Sequence, residues 1–318
     1  MHKKNRRLRS EERGVIYRMS KAGKSQTEIA EAIGFSQGAV SKELSRNRGL
    51  RAYRPCQAQR MADDRKKAKR ARRPALEGDL VREVEWRLGL YHSPEQISGA
   101  LRREGLGSVS HETIYAHVRE DRKAGGQLYK NLRINGKRRY RRRAKAGRQG
   151  KIPGRVGIEE RPASVGERTR YGDWEVDLIE GMKGTGFLLS LYERKTRFGL
   201  LRRLDTKGAE QTSEEIISAL AGLRVRTLTF DNGTEFSRHG EVAEALAAKS
   251  YFCNPYHSWE KGGVENFNGL VRQYFPKGSS FSDITSQRLM DVQTALNSRP
   301  RKTLNFTSPS EHQTKIAA

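Results

Sequence analysis

Three acidic residues sit where an acid is either costly or well placed. Asp177 interrupts an apolar stretch, Trp174-Glu175-Val176-Asp177-Leu178-Ile179, and a charge inside such a strand is unfavourable unless something uses it. Glu175 falls on the same strand face as Asp177, because side chains repeat every two residues. Asp231 closes a second apolar run, Val225–Phe230, and opens onto Asn232-Gly233. Glu265 begins a helix, in Gly262-Gly263-Val264-Glu265-Asn266. Singly, each reads equally as a surface acid, a turn aspartate or a helix N-terminal glutamate. Together they suit phosphoryl transfer on DNA, which uses two divalent cations roughly 3.5–4 Å apart, one activating the attacking hydroxyl and one stabilising the leaving oxygen. Mg²⁺ (or Mn²⁺) is held by a few carboxylates plus water and substrate phosphate, so one shared aspartate flanked by two further acids meets the need.

Other residues could support that chemistry. Asn268 and Arg272 lie three and seven positions after Glu265 and share its helix face; both are expected to meet the scissile strand or its phosphates. Lys261, just before the helix, is a further phosphate candidate. Gly262 and Gly263 would let the backbone approach a strand closely. Trp259 reads as a base-stacking residue or a packed core tryptophan. Arg299, Arg301 and Lys302 form a basic motif able to hold a nucleic-acid backbone.

The elements that must position these residues form a mixed α/β region at 165–318. Strands are expected at Trp174–Ile179, Phe187–Tyr192, Thr196–Leu204, Val225–Phe230 and Tyr251–Cys253, and helices at Ala209–Ala221, Glu241–Ala248, Val264–Tyr274 and Ile284–Asn297. Three antiparallel-looking strands followed by alternating helix and strand imply a mixed sheet.

Upstream the pattern is helical. Gln26–Ile33 and Gln37–Asn47 flank Gly34-Phe35-Ser36. Ala30 is small where two helices must cross, Gly34 suits the tight turn, Val40 and Leu44 face inward, and Ser36 is a good N-cap. That is the spacing of a helix-turn-helix; an ordinary helical hairpin is the plainer alternative. Gln37, Ser41, Lys42, Ser45 and Arg46 then face outward, able to reach base edges and phosphates. A second helical pair starts at Ser93-Pro94-Glu95, a strong helix start, and at Ser110-His111-Glu112-Thr113. His111 there is a DNA contact or a capping residue. The expected organisation is multidomain: a helix-turn-helix domain at 1–70, a second helical helix-turn-helix-like domain at 75–123, a basic linker at 124–164 that includes the run Arg138–Arg143, and the α/β domain at 165–318.

Charge separates these regions. Residues 1–150 hold 39 Lys and Arg against 16 Asp and Glu, a net of +23, whereas residues 151–318 hold 24 against 21, a net of +3. A polyanion, most simply nucleic acid, is the expected partner of the first half. No run of 18 apolar residues suggests a membrane span. The basic N-terminus lacks the apolar segment of a secretory signal. Two cysteines, Cys56 and Cys253, give neither a disulfide framework nor zinc-ligand spacing. A reducing, cytoplasmic setting is expected.

From Tyr171 onward the sequence resembles the bacterial DDE transposases of insertion-sequence family thirty. The segments that carry the resemblance are Gly172–Asp177, Thr229–Phe236, Pro255–Gly269, Arg272–Gly278 and Leu296–Lys302, with 33 residues between Asp231 and Glu265. It continues upstream through Leu44–Asn47, Ser93–Ile97 and Ser110–Tyr115. Val176 stands where that family has Gly, and His257 and Glu260 replace commoner small or amide residues. The resemblance implies an RNase H-like catalytic fold and an Mg²⁺-dependent mechanism with Asp177, Asp231 and Glu265 as metal ligands. It also implies recognition of terminal inverted repeats, cleavage at element ends and joining of the 3′-hydroxyl to target DNA. Two ends must be held together, so a homodimer or larger assembly on DNA is expected. A catalytically inactive DNA-binding regulator derived from such an enzyme, or a simple metal-dependent nuclease, are the alternative readings.

Overall fold

The protein is described from a computed structural model covering residues 6–49, 52–71, 76–133, 152–255 and 257–317. The expected basic run Arg138–Arg143 lies outside the described residues. The chain divides into two compact units, residues 1–75 and 76–318.

The first unit contains α1 (Ser10–Lys21), α2 (Gln26–Ile33), α3 (Gln37–Asn47) and α4 (Pro55–Ala71). The bounds of α2 and α3 are those read from the sequence, because local chemistry sets them. Ser25 and Glu28 form a reciprocal capping box, and the Ser36 hydroxyl accepts the Ala39 N–H. Gly34 ends α2 in the left-handed region at φ 71°, a conformation open to glycine at little cost. Ile16, Ile29, Ala30, Ile33, Phe35, Val40, Tyr53 and Ala58 make the core. Within it, Arg13 donates from Nε to Glu43 at 2.6 Å, and the Tyr53 hydroxyl donates to the same carboxylate at 3.1 Å. This buried pair ties α1 to the second helix of the helix-turn-helix.

The second unit opens with α5 (Asp79–Gly89), α6 (Pro94–Glu104) and α7 (His111–Lys123). Ser93 caps α6 with Gln96 in return, and Ser110 caps α7. These helices have a small core of their own around Val84, Leu88, Ile97, Leu101, Ile114 and Val118, yet they are joined to the C-terminal α/β region. The Phe306 ring lies against Gly99, Tyr91 meets Tyr274 edge-on at 5.2 Å, and Arg103 pairs with Glu311 at 2.6 Å.

The short α8 (Ala163–Glu167) precedes β1 (Asp173–Glu180), β2 (Phe187–Glu193), β3 (Gly199–Leu204), α9 (Ala209–Leu220), β4 (Thr227–Phe230), α10 (His239–Ala245), β5 (Lys249–Phe252), α11 (Gly262–Tyr274) and α12 (Ser286–Asn297). The sheet order is β3-β2-β1-β4-β5. β1–β2 and β2–β3 pair antiparallel, and β1–β4 and β4–β5 parallel. This is the mixed sheet expected of an RNase H-like domain. Period-two alternation divides β1: Trp174 and Val176 enter one core with Leu220, Leu228, Phe230 and Phe252, while Ile179 enters another with Val264, Phe267 and Val271 of α11. Val176, the departure from the family's Gly, is therefore a core residue facing away from α11. Among the described residues no helix is long and apolar enough to cross a membrane.

Two expectations are corrected. Residues 152–164 are not linker but lie along the β5 edge: Ile152 joins the core, Val156 accepts the Phe252 N–H at 2.9 Å, and Arg161 donates to Thr229. Ile152 and Val156 anchor this segment, whose two arginines are balanced by two glutamates, so it lacks the charge excess that would keep it in solvent. β3 begins at Gly199 rather than Thr196, because Glu193 accepts from the Lys195 and Thr196 N–H groups and the Thr196 hydroxyl, holding 194–197 as a turn.

Candidate active site

Parallel pairing of β1 with β4 brings their C-terminal ends side by side, and Asp177 and the residue just past β4, Asp231, come with them. Helix α11 crosses the β1 face and carries Glu265 in its first turn, where the helix dipole favours an acid. All three acids line one cavity of 320 Å³, with Asn232, Gly233, Cys253, Asn254, Pro255, His257 and Lys261. A larger cavity of 460 Å³ between β3 and α12 is lined by Arg202, Arg203, Asp205, Glu215 and Met290 among others; it gathers none of the three acids.

Lys261 sits inside the carboxylate group. Its side chain is only 5% exposed, and Nζ lies 3.1 Å from Asp177 Oδ1, 3.3 Å from Asp231 Oδ2 and 3.1 Å from the Val176 carbonyl. Burial works against its charge, but the two aspartates outweigh it and hold the ammonium above the usual lysine range. Expected at a DNA phosphate, Lys261 is placed instead as the counter-ion of two acids. Asn268 donates to the other Asp177 oxygen at 2.7 Å, and its own Oδ1 is buried without a partner. Asp231 is 44% exposed and accepts the Gly233 N–H at 3.1 Å.

The carboxylate that fixes this geometry is Glu175. It is buried, accepts the Val264 N–H of α11 at 2.7 Å, and pairs with the buried Arg194. One acid on β1 thus clamps the helix bearing Glu265 and Asn268. Gly263 makes the approach possible, since a Cβ there would stand 2.6 Å from Tyr192 and 2.7 Å from Glu175; Gly262 faces open space, so only one of the two glycines is used for close packing. The signal in the sequence was Glu175's place on the Asp177 face; its partner Arg194, 19 residues on, had no local signature.

The remaining candidates separate. Arg272 donates to the Glu180 carbonyl at 2.6 Å and lies over Phe281; it does not line the carboxylate cavity, and burial holds its pKa below the usual arginine value. Arg299, expected at the DNA backbone, is instead 1% exposed, bonded to Gln273 at 2.8 Å and the Tyr274 hydroxyl at 2.9 Å. Tyr274 supplies an aromatic cradle that draws this guanidinium inward. Arg301 is turned toward a separate cavity, and Lys302 is at the surface, paired with Glu95 at 2.6 Å. Trp259 is 68% exposed and stacks on His257 at 4.3 Å, so its core reading is corrected. His257 in turn bonds Glu260 at 3.1 Å, and Glu260 accepts the Asn254 N–H at 2.8 Å. The two departures from the family pattern in this loop are therefore one bonded pair. On α3, Gln37, Lys42, Ser45 and Arg46 are exposed and Ser41 half-buried. His111 is exposed at the start of α7.

The fit to divalent cations can be judged from the donors. Asp177 and Asp231 already converge on one cationic atom, and an amide oxygen nearby lacks a partner. Among the described residues, no three acidic, histidine or cysteine groups come together tightly enough to hold a single ion. The donor set thus suits an ion between the two aspartates, with Glu265 on the wall of the same cavity.

Comparison with known proteins bears on the whole chain. A family model described as a helix-turn-helix domain matches residues 4–47. The chain is 42% identical over 311 residues, 96% of its length and 95% of the relative's, to the transposase for insertion sequence element IS4351 of Bacteroides fragilis. It is 36% identical over 298 residues, 89% of its length and 77% of the relative's, to the transposase InsI for insertion sequence element IS30C of Escherichia coli K12. Among solved structures, the catalytic core domain of BIV integrase overlaps 45% of this chain and 93% of its own, at 18% identity and a TM-score of 0.36.

Proposed function

The chain belongs to the IS30 family of insertion-sequence transposases, and on that premise we propose that it binds the terminal inverted repeats of its element, cleaves DNA at the element ends and joins the freed 3′-hydroxyl to target DNA. The observation that carries this reading is the convergence of Asp177, Asp231 and Glu265 from β1, β4 and α11 on one cavity, with a cationic nitrogen already between the two aspartates. Asp177, shared between Asp231 and Glu265, would hold two divalent ions, Mg²⁺ or Mn²⁺. Bound there, such ions lower the pKa of the attacking water or hydroxyl and neutralise charge on the leaving oxygen.

The chain's own groups do the rest. Glu175 and Arg194 hold the start of α11 against β1, so Glu265 and Asn268 keep their distance from Asp177. Asn268 orients the Asp177 carboxylate. The helix-turn-helix presents Gln37, Ser41, Lys42 and Arg46 to DNA, base edges giving specificity and phosphates giving register. Both chemical steps are displacements at phosphorus, so one carboxylate site serves cleavage and joining in turn, with two ends held in a homodimer or larger assembly.

The test uses the full chain with Mg²⁺ and a duplex carrying an element end. The wild type is expected to nick and join; Asp231→Ala is expected to do neither while binding the duplex with unchanged affinity. Cleavage retained in that variant sinks the site assignment.

A further inference from the structure

A second charged cavity borders α11, and it has the opposite sign. It measures 160 Å³ and is lined by Tyr192, Arg197, Asn266, Phe267, Leu270, Arg301 and Thr303. Among the described residues no carboxylate lines it. Arg197 reaches it from the β2–β3 turn and Arg301 from the segment after α12. Arg133 reaches Asn266 from beyond α7, donating to its side-chain oxygen at 2.7 Å. Arg299 lies close enough to repel both Arg301 and Arg133.

These four guanidinium groups have no acid partner among the described residues. Arg197 donates to the Tyr192 hydroxyl at 3.3 Å and Arg301 to the Leu296 carbonyl at 3.0 Å, and Arg299 bonds neutral side chains. The Nε atoms of Arg299 and Arg301 are shielded from solvent with no hydrogen-bond partner. Burial first, and then Arg299, Arg197 and Arg133, pushes Arg301 down to about 10. Grouped cations with idle donors are unfavourable unless an anion joins them. The neutral lining agrees: the Asn266 side-chain oxygen accepts from Arg133 and the Tyr192 hydroxyl oxygen from Arg197, so the Asn266 amide N–H groups and the Tyr192 O–H remain as donors with no acceptor among the described residues. At this size, below the 300–1,000 Å³ of ordinary small-molecule pockets, the cavity suits a small group.

We infer that the cavity between Arg197, Asn266, Arg301 and Thr303 is a receptor for a tetrahedral oxyanion, filled in the working protein by a DNA backbone phosphate. The oxyanion site stands on the arginines and the cavity; the choice of DNA as its source rests on the function proposed above. It places a phosphate anchor one face of α11 away from the carboxylates, and so fixes the register of the strand that enters them.

Two arms test it on the full chain without divalent metal, so that neither reads cleavage. In the first, melting temperature is followed in sodium phosphate against sodium chloride at equal ionic strength. The wild type is expected to gain several degrees specifically in phosphate, and Arg197→Gln to lose that gain. Thr303→Glu puts a carboxylate at the mouth; it is expected to melt higher than wild type in chloride and to gain nothing from phosphate, which separates loss of the site from loss of the fold. In the second, affinity for end DNA is measured against salt. Each neutralised phosphate contributes about 0.9 to the log–log slope, so both variants are expected to show a slope shallower by about 1, with Asp231→Ala unchanged. Equal melting in phosphate and chloride for the wild type overturns the receptor. A phosphate-specific gain with unaltered DNA slopes keeps the oxyanion site and overturns DNA as its source.

Discussion

Around Asp177 each described acid of the clamp and cation pair meets a cation: Asp177 and Asp231 share Lys261, and Glu175 pairs with Arg194. Around Arg301 the cations meet one another, carbonyls and neutral side chains. Both cavities border the same helix, α11. The acidic one carries its own counter-ion, so it can fold before any metal arrives and must give up a lysine contact to receive one. The basic one has no counter-ion among the described residues, so an incoming anion relieves repulsion instead of displacing a partner. A complete charge network holds geometry; an incomplete one creates affinity.

The largest test of that difference is Glu175→Ala. It leaves Arg194 buried without its acid and frees the Val264 N–H, and breaking a buried pair in this way costs about 3–5 kcal/mol. The urea midpoint of the second unit should drop accordingly, and end cleavage should fall with it because α11 loses its clamp. An unchanged midpoint would mean that the acidic side is not held by its charge network.

Next is Lys261→Met. The expected loss is about 2 kcal/mol in EDTA, below the full penalty for a broken buried pair, because Asp231 is 44% exposed and water shares its charge. Mg²⁺ or Mn²⁺ should recover most of the loss, and Mn²⁺ should bind the variant at least tenfold more tightly by electron paramagnetic resonance. Equal Mn²⁺ affinity in variant and wild type would show that the ammonium does not compete for the cation position.

The basic side also shapes a pH response. His92 is buried, and burial followed by Arg299, Arg87 and Arg301 pushes it down to about 3. An unfolded histidine takes a proton near pH 6.5, whereas this one stays neutral until about 3. Unfolding therefore takes up a proton between those values, and stability falls as pH drops through that window. From pH 7 to 5.5 the contribution is about 1 kcal/mol lost. Denaturation midpoints across that range should flatten in His92→Phe; parallel profiles for both proteins would remove His92 from the account.

What the sequence disclosed depends on how local each interaction is. Helices α2 and α3 were legible to the residue, since Ser25, Ser36 and Gly34 act within a few positions of themselves. The three acids were legible as charges in apolar or turn contexts. Their setting was not: Lys261 reads as a surface cation until β1 and β4 are paired, and Glu175–Arg194 joins β1 to the turn that follows β2. Arg197 gave no signal, because its role depends on Arg301 and Asn266 meeting it across long sequence gaps. Arg299, Arg301 and Lys302 looked like one basic strip, yet folding sends them to an aromatic cradle, a cavity and an ion pair with α6. The second helical module read as separate for the same reason, since Phe306 meets Gly99 only after the chain closes.

The smallest effect is the sharpest contrast. Arg301→Met removes a mostly buried charge, as Glu175→Ala does, but this charge has no opposite partner among the described residues to strand. What is lost is one bond to the Leu296 carbonyl, about 1 kcal/mol on average. What is gained is relief from Arg299, Arg197 and Arg133, and replacing a buried ionic group by an apolar one of similar volume is often neutral or stabilising. The two effects oppose, so the stability in chloride should stay within about 1 kcal/mol of wild type, while the gain from phosphate disappears. A loss in chloride as large as that of Glu175→Ala would mean that Arg301 is a structural cation after all, and the two sides of α11 would no longer differ in kind.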